Sequence, residues 1–187
     1  MVVAPSGSPQ GEPGTDPGSL KENGQDTFQD KRRSISRGQI GERGPRPNVN
    51  VVVDASVAAK WFNIEEFSEK AAQVKDAHVR GDFELSAPTH IVCEVENSIL
   101  KNQQLTGEDA DEAIASILQL GIRLLAPSMI RAGRTMTIAR LRHTTFYDAS
   151  YLQTAEELRA PLITADESQA RAGNGIARIV HLREFTV

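Results

Sequence analysis

The chain has 187 residues, with 21 Lys and Arg against 25 Asp and Glu, one Cys and four His. One cysteine excludes an internal disulfide and any multi-cysteine metal site, and no His pair has the HxxxH or HxH spacing of a zinc site. No segment approaches the roughly 20 apolar residues of a membrane helix, and no apolar run follows the start as in a secretory signal. The chain is therefore expected to be soluble and cytoplasmic.

Composition divides the sequence at Asn48. Residues 1–48 hold eight of the 14 Gly and six of the 9 Pro, with one aromatic residue, Phe28. So little apolar surface cannot offset the entropy of ordering a chain, and the segment reads as a disordered tail. Residues 49–187 read as one domain. The tail carries 7 Lys and Arg and 6 Asp and Glu, which leaves the domain 14 against 19. An acidic domain binds nucleic acid poorly unless a metal masks some acids and the cations are concentrated in one place.

Val49 to Val53, ended by Asp54, is a β-branched run suited to a strand buried on both faces. Ala55 to Phe62 reads as a short helix and Glu65 to Arg80 as a longer one stopped by Gly81. Glu84 to Ala87 is a strand closed by Pro88. Thr89 to Asn102 is helical, with Ile91, Val92, Val95 and Ile99 on one face. Thr106 is an N-cap for a helix to Leu120, with acids in its first turn, and Gly121 ends it. Ile122 to Ala126 is a strand, and Pro127 opens a helix to about Arg142. Tyr147 to Arg159 is helical. Pro161 to Thr164 is a strand, then Asp166 precedes a short helix, and Ile179 to Leu182 is the last strand. This alternation predicts an α/β fold with a parallel sheet and helices on both faces. Trp61 and Phe62 follow apolar elements and are expected in the core. Cys93 is expected to be a small buried hydrophobe.

In such sheets ligands sit beyond the carboxyl ends of the strands. Asp54 and Asp166 follow two of these ends, Asp148 lies at a helix start, and Glu94 lies in a helix that follows a strand. Carboxylates converging there would repel one another unless a hard divalent cation, Mg2+ or Mn2+, sat among them. That arrangement suits phosphodiester hydrolysis, because a metal activates water and neutralises phosphoryl oxygens. Ordinary readings stand beside this one: Asp148 and Asp166 both suit helix N-caps. Periodicity does not choose between Glu94 and Glu96. Asp54 is the hardest to explain by packing.

The segments VVVDASVAAKWF, APTHIVCEVENSIL, TTFYDASYLQTAEEL and LITADESQA resemble, in order and spacing, the four motif regions of PIN domains. They are most similar to toxin ribonucleases of the VapC type, over essentially all of residues 49–187. The resemblance implies a three-layer α/β/α sandwich with a central parallel sheet and Mg2+-dependent endoribonuclease activity, with Mn2+ as a possible substitute. It further implies inhibition by a small antitoxin partner, as in type II toxin–antitoxin pairs, and a homodimer. Asp54, Glu94, Asp148 and Asp166 match the four family acids, with Asp54 and Asp148 as direct metal ligands. Ser56 and Thr164 match supporting hydroxyls, and Asn97 the asparagine of an ExxN pattern. The tail has no counterpart in the family.

Glu94, Asn97 and Lys101 follow one another on a helix face, so Lys101 could meet a phosphate near the metal. No acid lies between Glu112 and Asp148, a stretch holding five arginines. Arg131, Arg134 and Arg142 fall within about 80° on a helix of 3.6 residues per turn. They form a candidate face for guiding RNA, with a solvated face or antitoxin-docking surface as the alternative. A dehalogenase-type phosphatase needs a second Asp where Ser56 stands, and a receiver domain needs a lysine later than Lys101. A housekeeping RNA-processing nuclease and a catalytically silent PIN-like binding module remain the competing readings.

Overall fold

The computed structural model describes residues 49–186. The tail assigned to residues 1–48 lies outside the described residues. In chain order the elements are β1 (Asn50–Val53), α1 (Ala55–Ala58) continuing into a 3-10 turn (Ala59–Trp61), α2 (Ser68–Arg80), β2 (Glu84–Pro88), α3 (Ile91–Lys101) and α4 (Gly107–Gln119). There follow β3 (Arg123–Leu125), α5 (Met129–Arg142), α6 (Phe146–Leu158), β4 (Leu162–Thr164), α7 (Glu167–Ala172), β5 (Ile179–His181) and a closing 3-10 turn (Leu182–Glu184).

The five strands form one sheet in the order β3-β2-β1-β4-β5, every pair parallel. Helices cover both faces in a three-layer α/β/α sandwich. The middle strand is the one read from its apolar run: Val51, Val52 and Val53 are all buried. The chain works outward from β1 to β3 on one side, then returns to lay β4 on the other. β1 and β4 therefore flank the switch point where a crevice opens at their carboxyl ends. Asp54 and Asp166 leave the sheet there.

Local signals end the helices as the sequence predicts. Gly81 (φ 85°) takes the left-handed conformation that closes α2. Thr106 and Asp109 form a reciprocal capping box on α4. Two other caps differ from expectation. Ser128 caps α5, so Pro127 lies outside the helix. Thr145 caps α6, which puts Asp148 inside the first turn rather than at the cap.

Trp61 and Phe62 are buried, and the Trp61 indole N–H donates to the Ala71 carbonyl at 2.9 Å. Cys93, expected inside, is exposed. Ile91, Val95 and Ile99 carry the buried face of α3, and a residue two positions from Ile91 points about 200° away from it. No helix among the described residues is long and apolar enough to cross a membrane.

Candidate active site

Asp54 stands at the mouth of the switch point with its side chain buried. Its Oδ2 accepts two hydroxyl hydrogen bonds, from Thr164 at 2.6 Å and Ser56 at 2.7 Å. Each hydroxyl is itself fixed by a backbone N–H of the loop after β4. Ala165 N donates to Ser56 Oγ and Asp166 N to Thr164 Oγ1, both at 3.0 Å. A hydroxyl has one proton, and both protons here point at Asp54. The carboxylate of β1 is thus aimed by the loop of β4, and no described hydrogen bond reaches its Oδ1.

Glu94 arrives from α3 and is half-buried. Its Oε2 accepts the Tyr151 hydroxyl at 2.6 Å. Tyr151 is fully buried on α6, so the glutamate of one helix is held by the phenol of another. His90, one turn before Glu94, places Nε2 3.5 Å from the same oxygen and 3.1 Å from Ser150 Oγ.

Asp148 reaches the edge because α5 and α6 are joined by a tight corner. His143 adopts a left-handed conformation (φ 52°) that ends α5, and Thr144 N donates back to Ala139 O. Asp148 Oδ2 accepts from Thr145 Oγ1 at 2.7 Å and Thr144 Oγ1 at 3.1 Å. Its carbonyl accepts from the buried Gln169 side-chain amide at 3.0 Å, which ties α6 to α7.

The three carboxylates act on one another. Burial, helped by the charges of Glu94 and Asp148, raises the Asp54 pKa to about 6 against the lowering by its two hydroxyl partners. The Glu94 pKa is also raised, mainly by burial, with the Tyr151 hydrogen bond opposing and the Asp148 charge adding. Both shifts are led by burial, and among the described residues no Lys or Arg bonds to either carboxylate. Each of the three carboxylates keeps one oxygen held by hydroxyls and one that no described hydrogen bond reaches.

Asp166 differs from these three. Its Oδ1 caps α7, accepting from Ser168 N at 2.5 Å and Gln169 N at 2.9 Å. The same helix carries Gln169, so Asp166 supports Asp148 through α7. Asn97 and Lys101 lie exposed along α3 beyond Glu94.

The arginine face is largely paired. Arg131 forms a two-pronged bridge to Glu157 at 2.7 and 2.9 Å, and Arg134 one to Glu156 at 2.5 and 2.7 Å. These bonds lower the pKa of both glutamates. Arg142 instead donates to the Asn174 carbonyl at 2.6 Å, and its buried Nε has no partner among the described residues.

Sequence reading passed over Tyr151, His90 and Gln169. Two of these carried a weak signal. Tyr151 lies three residues after Asp148 and His90 four before Glu94, spacings that share a helix face. Gln169 had no signal, because only the packing of α7 on α6 brings it to Asp148.

An all-oxygen donor set with unoffset negative charge suits a hard divalent cation. As placed, no three His, Cys, Asp or Glu side chains among the described residues stand close enough together to hold one. Coulombic repulsion reaches farther than a metal–ligand bond, so the carboxylates feel one another while standing apart.

A family model described as PIN domain matches residues 51–175. No curated protein matches. Among solved structures, the crystal structure of PAE2754 from Pyrobaculum aerophilum is similar, with a TM-score of 0.54 at 22% identity, covering 72% of this chain and 85% of that one. At that identity the likeness is one of fold. PIN domains are typically nucleases that use divalent metals. With the family model spanning more than half of its length and the parallel sheet carrying its acids at the switch point, this chain belongs to the PIN domain family.

Proposed function

We propose that the domain is an Mg2+-dependent endoribonuclease that hydrolyses RNA phosphodiester bonds. The observation that carries this reading is the edge formed by Asp54, Glu94 and Asp148, where Asp54 and Glu94 both feel the Asp148 charge and no Lys or Arg among the described residues bonds to them. Asp54 and Asp148 would hold the metal, which when bound lowers the pKa of water and neutralises phosphoryl oxygens. Ser56 and Thr164 aim Asp54, leaving Oδ1 for the metal. Tyr151 fixes Glu94, whose raised proton affinity suits it to take a proton from the attacking water. Asp166 and Gln169 hold α7 against Asp148. Asn97 and Lys101 extend the α3 face toward the substrate. Arg131 and Arg134 have their forks engaged by Glu157 and Glu156 and Arg142 is tied to the Asn174 carbonyl, so phosphate guidance falls first to Lys101. Mg2+-dependent cleavage of RNA by the purified chain, lost in Asp54→Asn, supports the reading; cleavage that survives both chelation and Asp54→Asn sinks it.

We further read the nuclease as a cytoplasmic toxin of a type II toxin–antitoxin pair, working as a homodimer and silenced by a small protein. The four-motif resemblance supports this. The exposed apolar side chains of Met129 and Ile130 on α5 and Leu100 on α3 offer surface to a second chain. A short open reading frame directly upstream whose product co-purifies with the chain and stops RNA cleavage supports the toxin; its absence favours a housekeeping nuclease.

A further inference from the structure

Phe146 and Tyr147 are the two exposed side chains among the Phe, Tyr and Trp of the described residues, and both immediately precede Asp148. The others are buried or partly buried. Tyr147 is 59% exposed and Phe146 42%. Successive helix residues point about 100° apart, so the two rings do not share a direction. Tyr147 is the one turned toward the carboxylate edge, because its ring meets His90 edge-on at 5.3 Å between centroids.

Tyr147 is also held in place. Ser150 Oγ donates its single proton to the Tyr147 carbonyl at 2.6 Å, so toward His90 it can only accept. His90 therefore carries its proton on Nε2 and donates to Ser150. That bond, with edge contacts to Tyr147 and Tyr151, sets the imidazole plane. The imidazole in turn supports the Tyr147 ring. An aromatic side chain that is fixed on one side and open on the other loses little entropy when a flat group lands on it.

We propose that Tyr147 is a nucleobase-stacking subsite that seats one unpaired base of an RNA strand beside the Asp54–Glu94–Asp148 edge. This deepens the ribonuclease reading and rests on it. The charge pattern favours a base there. Phosphates are repelled by the carboxylates unless a cation intervenes, whereas a neutral base approaches without that cost. Aromatic stacking also tolerates any base, since each has a π-face, and it requires a single strand whose bases are unstacked.

The test measures binding of a fluorescein-labelled single-stranded RNA decamer in calcium, and steady-state cleavage of the same RNA in magnesium. Tyr147→Ala is expected to raise both Kd and KM by about tenfold, with kcat within about twofold of wild type. Tyr147→Phe, which keeps the ring, is expected to bind like wild type, and Tyr147→Leu, which keeps bulk but no π-face, like Tyr147→Ala. Wild-type affinity in Tyr147→Ala or Tyr147→Leu overturns the subsite, as does an equal loss in Phe146→Ala. Wild type that binds no RNA overturns it as well. Wild type that binds RNA in the expected order of variants but does not cleave it overturns the ribonuclease reading and leaves the stacking site standing.

Discussion

The carboxylate edge and the arginine face of α5 are both clusters of like charge, and the fold treats them in opposite ways. At the edge, hydroxyls hold Asp54, Glu94 and Asp148, with His90 Nε2 3.5 Å from Glu94, and no described Lys or Arg bonds to them. On α5, Arg131 and Arg134 each meet a glutamate of α6 in a two-pronged bridge. A like-charge cluster left uncompensated carries a standing cost that a ligand can relieve. A cluster already paired has little left to offer one. The edge therefore speaks for function, and the arginine pairs speak for the packing of α5 on α6.

The largest effect should come from the edge. Asp54→Asn and Asp148→Asn are each expected to lower metal-dependent RNA cleavage by roughly a hundredfold or more while leaving the circular dichroism spectrum unchanged. Full activity in either would dissolve the contrast between the two regions.

The next effect is on stability, and its sign is unusual. The folded chain holds the Asp54 proton up to a pKa of about 6, against an ordinary value of 3.8. Below the lower value both states are protonated and the stabilising contribution is fully present. It is lost as pH rises through about 6, because the folded state must then bury a charge. The shift corresponds to about 3 kcal/mol at the upper end. In chelator, thermal denaturation should give a higher Tm at pH 5 than at pH 8, and Asp54→Asn should raise the Tm at pH 8. A metal-free Tm that does not respond to either change would mean the edge is better solvated than its burial implies.

Tyr151→Phe should act more gently. It removes the hydrogen bond that lowers the Glu94 pKa, so the acid limb of the cleavage–pH profile should move to higher pH. Activity at neutral pH is expected to fall by about tenfold. An unmoved acid limb would separate Glu94 from proton transfer.

The smallest effect belongs to α5. Arg131→Gln and Arg134→Gln should each cost less than about 1 kcal/mol, since both pairs are exposed to solvent. RNA affinity at low salt should stay within about twofold. A large loss of affinity there would break the comparison and return the arginine face to substrate guidance.

Much of the fold was legible because its signals are local. The valine run before Asp54, the glycine after Arg80, and the Thr106 capping box depend on neighbours a few residues away. Cys93 was misread because type preference was weighed over helix phase; Ile91, Val95 and Ile99 already implied that it faces outward. The arginine face is a different case. Its helical spacing was correct, but the glutamates that pair with it lie 22 and 26 residues further along, beyond any periodicity.

By itself the sequence determined the alternation of strands and helices, the acid placed after a buried strand, and the motif order that resembles the family. These follow from propensity, capping and spacing along the chain. Only the tertiary structure decided that Asp54, Glu94 and Asp148 share one uncompensated edge, that Tyr151 and His90 stand behind them, and that Asp166 serves as a cap. Charge coupling and hydrogen bonding depend on distance in space, and Asp54 and Thr164 are 110 residues apart until β1 pairs with β4.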